Sequence, residues 1–253
     1  MPHQLTTLHN LYVSYLIYVR FDDLQNIPEY TAGSCMGAKS GSALPFCNRI
    51  CAQPGLTADE VHKAVAYFGT TPFSWFVCEN DKDQIRLLDR LGFTLLAEYP
   101  LMISDLGDLR EEPYAPGVTV ERIDLTQANS GTWLDLIAQS YKTDREQFGV
   151  FISYILRRAR ATVHFYQALY EGDPAACSMV IAHEGTILGL HYVGTLPEYR
   201  GKGLGFAVSH KPLVDFKKKG GKQSILFASA MGKPIYEQIG YKTLLNCTVY
   251  SLP

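Results

Sequence analysis

The stretch Val193-Gly194-Thr195-Leu196-Pro197-Glu198-Tyr199-Arg200-Gly201-Lys202-Gly203-Leu204-Gly205 carries the strongest local signal in the chain. It leaves an apolar run, turns at Pro197, and passes three glycines in five residues before a helical pattern begins. Closely spaced glycines let successive backbone N–H groups converge on one anion. A helix N-terminus adds partial positive charge at the same point, and Arg200 and Lys202 add formal charge. The spacing is neither the dinucleotide-binding Gly-x-Gly-x-x-Gly nor a P-loop, which needs Gly-Lys followed by Ser or Thr. Without that metal-holding hydroxyl, the segment points to a diphosphate bound without a metal, with a flexible glycine turn that only caps a helix as the alternative.

Working outward, Val163 to Tyr170, Ala175 to His183 and Thr186 to Thr195 read as strands, the last two joined by a Glu184-Gly185 turn. His183 and Glu184, at that turn, are expected to be solvated. Beyond the loop, Phe206 to Lys219 reads as a helix kinked at Pro212 and stopped at Gly220-Gly221. Ser224 to Ala228 is a strand, Gly232 to Ile239 a short helix, and Thr243 to Tyr250 a closing strand. Upstream, Val118 to Arg122 alternates as a strand, and Ser130 to Ser140 and Phe151 to Arg160 are helical. The clusters Arg157-Arg158-Ala159-Arg160 and Lys217-Lys218-Lys219 read as solvated charge at helix C-termini.

The segment Asp105 to Gly117, with two prolines, two glycines and five charges, separates two apolar-patterned regions. The expected division is therefore residues 1–110 and residues 111–253. In the first, Pro72 to Val77 reads as a strand, Gln84 to Leu91 as a helix and Thr94 to Tyr99 as a strand. Leu91-Gly92-Phe93 there is echoed by Ile239-Gly240-Tyr241 in the second, a hint of a duplicated fold.

At 253 residues, 47% hydrophobic and 19% charged, the chain is of ordinary globular composition, which excludes disorder as its main state. The formal net charge is −2, which argues against a dedicated nucleic-acid binder. It divides as −4 in residues 1–110 and +2 in residues 111–253, so an anionic ligand is expected in the second. The six cysteines form no Cys-x-x-Cys and no zinc-ligand spacing, so no metal is expected. Reduced thiols and the lack of a basic opening segment give a cytoplasmic expectation. The longest apolar run, Leu11 to Val19, is too short to span a bilayer and is expected in a core element.

Arg200-Gly201-Lys202-Gly203-Leu204-Gly205 fits Arg/Gln-x-x-Gly-x-Gly/Ala, and on it the chain resembles the GNAT superfamily of N-acetyltransferases. Leu226-Phe227-Ala228-Ser229 and Pro234-Ile235-Tyr236 through Gly240-Tyr241 look like that family's second motif, at the right distance. The resemblance covers about half the chain and implies a mixed α/β sheet of the GNAT fold. With the degenerate echo in residues 1–110, it implies a tandem GNAT-like architecture.

The function so implied is acetyl transfer from acetyl-CoA to a primary amine, by direct attack in a ternary complex. Gly201, Lys202, Gly203, Leu204 and Gly205, with Arg200, would hold the pyrophosphate. The pantetheine arm would pair with Val193, Gly194 and Thr195, on a strand splayed by a bulge, and a backbone N–H near Val193 would polarise the thioester. Tyr236 matches the general acid that protonates the leaving thiolate; a phenol near ~10 serves a thiol near ~8.5 when the two are held together. Ser229 stands where the family commonly has Asn beside the cofactor. No carboxylate occupies Thr186 to Thr195, so His191 is the candidate base, with a structural histidine or a water relay as the alternatives. An acyl-CoA sensor without turnover is the alternative function. The acceptor, small molecule, peptide or protein, stays open, as does monomer or homodimer; neither nucleic acid nor membrane is an expected partner.

Overall fold

The computed structural model describes residues 30–78, 81–125, 130–159, 162–183 and 186–252. The run Leu11 to Val19 and the turn Glu184-Gly185 lie outside them. In chain order the elements are β1 (Tyr30–Ala32), β2 (Cys35–Ala38), β3 (Arg49–Ala52), α1 (Ala58–Phe68), β4 (Ser74–Cys78), α2 (Lys82–Arg90) and β5 (Thr94–Asp105). Then follow β6 (Val118–Ile123), α3 (Ser130–Tyr141), α4 (Arg145–Ala159), β7 (Val163–Tyr170), β8 (Asp173–His183) and β9 (Ile187–Thr195). The chain continues through α5 (Leu204–Lys218), β10 (Gln223–Phe227), α6 (Lys233–Ile239) and β11 (Lys242–Ser251). This is a mixed α/β fold. Among the described residues no helix is long and apolar enough to cross a membrane.

The chain forms two compact units. One gathers the described residues up to Leu101 with Val150–Ala159 and the chain from Leu245 onward. Its β1, β2 and β3 are antiparallel neighbours, β3 pairs parallel with β4, and β4 pairs antiparallel with β11. A capping box starts α1: Thr57 Oγ1 accepts from Glu60 N at 3.3 Å, and the Glu60 carboxylate accepts from Thr57 N at 2.8 Å. Its core is aromatic, with Phe68 stacked on Phe73 at 4.3 Å and Phe93 edge-on to Trp75 at 5.6 Å. The fully buried Trp75 keeps its indole N–H satisfied by Gln84 at 3.1 Å.

The second unit gathers Met102–Gly149 and Arg160–Leu244. β6, β7, β8 and β9 form an antiparallel meander, and β9 then pairs parallel with β10. Leu188 and Leu190 of β9 pack with Leu204, Ala207 and Val208 of α5 in one apolar cluster.

The helix stops explain the echo between Gly92-Phe93 and Gly240-Tyr241. Both glycines have positive φ, +83° and +108°. The following aromatic amides bond back five residues, Phe93 N to Leu88 O at 3.1 Å and Tyr241 N to Tyr236 O at 2.9 Å. Each pair is the same glycine-terminated helix end, which returns an aromatic ring to the core.

Several elements differ in extent from the sequence reading. α4 begins at Arg145, six residues before Phe151, because the Asp144 side chain accepts from Gln147 N at 2.9 Å and starts the helix there. β5 runs on to Asp105 rather than ending at Tyr99. The Pro212 problem is solved by packing: proline cannot donate to the Val208 carbonyl, and the buried Ser178 hydroxyl donates to it instead at 2.8 Å. The Lys217-Lys218-Lys219 cluster is not simply solvated. Lys217 Nζ donates to Gly107 O and Leu109 O, both at 2.7 Å, and Lys218 pairs with Glu111. With His210 Nε2 at 2.8 Å from Arg110 O, these contacts lay the proline-rich segment after β5 along α5.

One pairing in this unit has a pH signature. The Arg122 guanidinium donates to His164 Nδ1 at 2.8 Å, which holds the imidazole neutral. Burial first, then the Arg122 and Lys219 charges, lower its pKa to about 4. The unfolded chain, with His near ~6.5, therefore binds more protons between those values, and stability falls as pH drops through that window. His164→Gln is expected to flatten the slope of stability against pH between about 6.5 and 4. The effect is on the order of 1 kcal/mol after solvent screening, read from denaturant melts across that range. An unchanged slope rules the assignment out.

Candidate functional site

The loop between β9 and α5 begins with a single 3₁₀ turn, Pro197–Tyr199, and enters the helix through two glycines in left-handed conformation, Gly201 at φ +79° and Gly203 at φ +82°. Gly203 is the N-cap, and no side chain caps the helix. The first intrahelical bond runs from Ala207 N to Gly203 O at 3.0 Å. The amides of the first turn ahead of it have no intrahelical acceptor, which is the arrangement that binds anions.

The glycines differ in what they leave open. A Cβ on Gly201 would meet nothing within 4 Å, whereas one on Gly203 would lie 3.2 Å from Ala115 Cβ. One on Gly205 would lie 3.1 Å from Ile235 Cδ1, so that glycine brings α5 close to α6. Leu204 is buried in the core and offers only its backbone. Arg200 turns back and donates from Nε to Thr195 O at 3.3 Å, closing the loop onto the end of β9. Lys202 rests its ammonium 4.0 Å from the Tyr170 ring centroid and 5.3 Å from that of Tyr199, an aromatic seat that holds its charge at the loop.

β9 itself is irregular where it approaches the loop. Its parallel ladder with β10 ends at Gly189 opposite Ile225, while β9 continues to Thr195. On the other side, Met179 faces His191 and Cys177 faces Gly194, so Tyr192 and Val193 together oppose Ser178. Tyr192 has φ +49°, a costly conformation for an aromatic residue. This bulge shifts the alternation of side chains by one. Gly194 consequently faces α3, where a Cβ would sit 2.7 Å from Ser140 Cβ, while Thr195 faces α5 beside Gly205. Tyr192 packs edge-on against Phe148 at 5.1 Å, and the Tyr141 hydroxyl donates to the Val193 carbonyl at 3.3 Å. The expected bulge is therefore present. Nothing in the residue types announced a left-handed tyrosine as its pivot, since Gly or Asn is the usual choice there.

His191 is buried, with its ring stacked along Tyr192 at 6.2 Å. His183 is buried as well, which corrects the expectation of a solvated turn residue. The reason is register: His183 pairs with Ile187 and lies on the same face as Gly189 and His191. A Cβ on Gly189 would sit 2.7 Å from His183 Nε2 and 2.8 Å from His191 Nε2, so this glycine makes room for both imidazoles.

Tyr236 lies in the first turns of α6, buried in the same cluster as Leu190, Leu204 and Ala207. Its ring packs on Gly232, where a Cβ would come within 2.8 Å, and edge-on to Tyr241 at 5.9 Å. Tyr241 is anchored through its hydroxyl, 2.6 Å from Ser224 Oγ. Ser229 has local work: its side-chain and main-chain oxygens both accept from Gly232 N at 3.1 Å, and its carbonyl takes Lys233 N at 2.9 Å. It shapes the turn into α6.

The glycine loop, the end of the β9·β10 ladder and Tyr236 thus belong to one unit built around α5. Residues 127–240 match the Acetyltransferase (GNAT) family. A search of curated proteins finds no match. Among solved structures, a GCN5-related N-acetyltransferase from Kribbella flavida superposes with a TM-score of 0.68 at 21% identity, covering 91% of each chain. One from Sphaerobacter thermophilus gives 0.63 at 12% identity, covering 86% of this chain and 75% of its own. A tandem GNAT protein from the clavulanic acid biosynthesis pathway gives 0.57 at 10% identity, covering 80% and 74%. The fold therefore resembles a tandem GNAT over most of the chain, and the segment 127–240, which carries the loop and Tyr236, matches the GNAT family of acetyltransferases.

Proposed function

We propose that this protein transfers an acetyl group from acetyl-CoA to a primary amine by direct attack within a ternary complex. The observation that carries the proposal is the helix N-terminus at Gly203, uncapped by any side chain, beside the point where β9 outlasts its ladder with β10. The first feature suits a diphosphate; the second suits an arm that pairs like an added strand. In this reading the amides of Gly201 to Gly205 take the pyrophosphate, and Arg200 and Lys202 supply charge. Val193, Gly194 and Thr195 line the arm, and a β9 amide near Val193 polarises the thioester carbonyl. Ser229 serves by holding the turn that leads into α6. The division into residues 1–110 and 111–253 assigns all of these groups to the second part.

The chemistry is balanced by two proton movements. The amine must lose a proton before or as it attacks the carbonyl carbon, and the departing CoA thiolate must gain one as the C–S bond breaks. His191, on the α3-facing side of β9, is the proposed acceptor of the first proton. Tyr236, in the α5-facing cluster, is the proposed donor of the second. In this reading each group serves one of the two proton movements, His191 from β9 and Tyr236 from α6.

The test is a panel of amines, from small polyamines and amino sugars to peptide N-termini, incubated with acetyl-CoA while released thiol is recorded. Amine-dependent thiol release with a matching acetylated product is expected. Tight CoA binding with no turnover on any amine would overturn the transferase reading in favour of a sensor.

A further inference from the structure

We propose that Cys78 and Cys247 form a cross-strand dithiol that a peroxide converts to a disulfide, a modification site separate from the acetyl-transfer machinery. The observation is register: on the antiparallel pair β4·β11, Cys78 stands directly opposite Cys247. Directly opposed residues point to the same face of the sheet. Their Cα atoms are about 4.5 or 5.5 Å apart, depending on the type of pair. Both values fall within the roughly 4.4–6.8 Å that a disulfide spans. Opposed Cβ atoms lie about 4.5–5.5 Å apart and a disulfide wants about 3.5–4.5 Å, so closure needs a shift of roughly 1 Å. The neighbouring pair holds the register, because the Thr248 hydroxyl donates to Val77 O at 3.2 Å.

The other thiols of this unit are not equivalent. Cys51, on β3, is opposite Phe76 and so stands diagonal to Cys78, about 7–8 Å away and beyond disulfide reach. Burial, and then the neighbouring thiols Cys247, Cys78 and Cys35, push the Cys51 thiol well above its ordinary pKa, which keeps it protonated and unreactive. Cys35 packs on the opposite face, in the cluster with Trp75 and Val77. Of the six cysteines only Cys78 is partly exposed; the other five, Cys247 among them, are buried. The order of events follows. The Cys78 thiol sheds its proton, its sulfur attacks a peroxide oxygen and breaks the O–O bond, and the departing hydroxide takes up that proton, which leaves a sulfenic acid and one water. The Cys247 sulfur then attacks the Cys78 sulfur, the S–O bond breaks, and a second water leaves with the proton of Cys247. The two thiols give up two electrons in all, and one peroxide is reduced to two waters.

The experiment treats the full-length protein with a small excess of hydrogen peroxide, alkylates remaining thiols under denaturing conditions, and maps the digest without reductant. The expected result is loss of two of the six thiols, a Cys78–Cys247 linked peptide, a melting midpoint raised by several degrees, and reversal by dithiothreitol. Cys78→Ser, at a partly exposed position, should fold normally and keep its remaining thiols alkylatable after the same treatment. Cys247→Ala should leave a Cys78 sulfenic acid that dimedone captures. Linkage between any other two cysteines overturns the proposal. So does over-oxidation of Cys78 to the sulfinic acid while Cys247 stays alkylatable.

Discussion

Gly203→Val is expected to abolish measurable CoA binding. Gly203 sits at φ +82° as the N-cap of α5, where an L side chain is strained by roughly 1–2 kcal/mol. The valine would also point at Ala115, because any Cβ at this position lies 3.2 Å from the Ala115 methyl carbon. Relief of that contact must move either the segment laid along α5 or the loop itself, and the second motion turns the first-turn amides away from a common anion. The folded state should survive, because the glycine is exposed and the α5 core residues are untouched. A domain of this size shifts its melting midpoint by about 2–4 °C per kcal/mol, so a drop of a few degrees is expected beside total loss of calorimetric titration with CoA. Gly201→Ala separates strain from clash, since its φ is +79° but nothing lies within 4 Å. It should weaken binding less than Gly203→Val. Undiminished affinity in the valine variant would remove the loop from the cofactor site.

Tyr236→Phe is expected to lower kcat on the order of 10²-fold with CoA affinity nearly unchanged, the range for losing one general acid. The ring would keep its packing on Gly232 and its edge-on contact with Tyr241, so the folded state has little to lose. The alkaline limb of the pH–rate profile should change as well, because the group that must hold a proton is gone. A tyrosine that only packs predicts nearly normal kcat and a modest fall in stability. Activity within about twofold of the parent, far short of the general-acid range, assigns the proton to water instead. The measurement uses the amine identified by the acceptor screen, with acetyl-CoA saturating.

The candidate loop was legible because its conformation is set locally. Glycines in alternate positions, a proline turn and a helical period are written in adjacent residues, and each acts through its own backbone conformation. The loop from Val193 to Gly205 therefore folds as its residues indicate, and so do the glycine-aromatic helix stops at Gly92 and Gly240. Periodicity located most of the elements, but their ends followed capping contacts such as that of Asp144, which moved the start of α4.

What the sequence by itself determined is thus the strand–loop–helix unit and the glycine turn that opens its helix, because the responsible interactions join near neighbours. The tertiary structure decided the rest. The left-handed Tyr192 exists because Ser178 faces two residues of β9, a mismatch of register between strands. Proline is tolerated inside α5 because the Ser178 hydroxyl, thirty residues away, satisfies the Val208 carbonyl. His183 is buried because strand pairing turns it toward Gly189 and His191, and Cys78 meets Cys247 only through the pairing of β4 with β11. Each of these depends on partners that chain folding brings together from far apart, and no local pattern encodes which distant residue will be opposite.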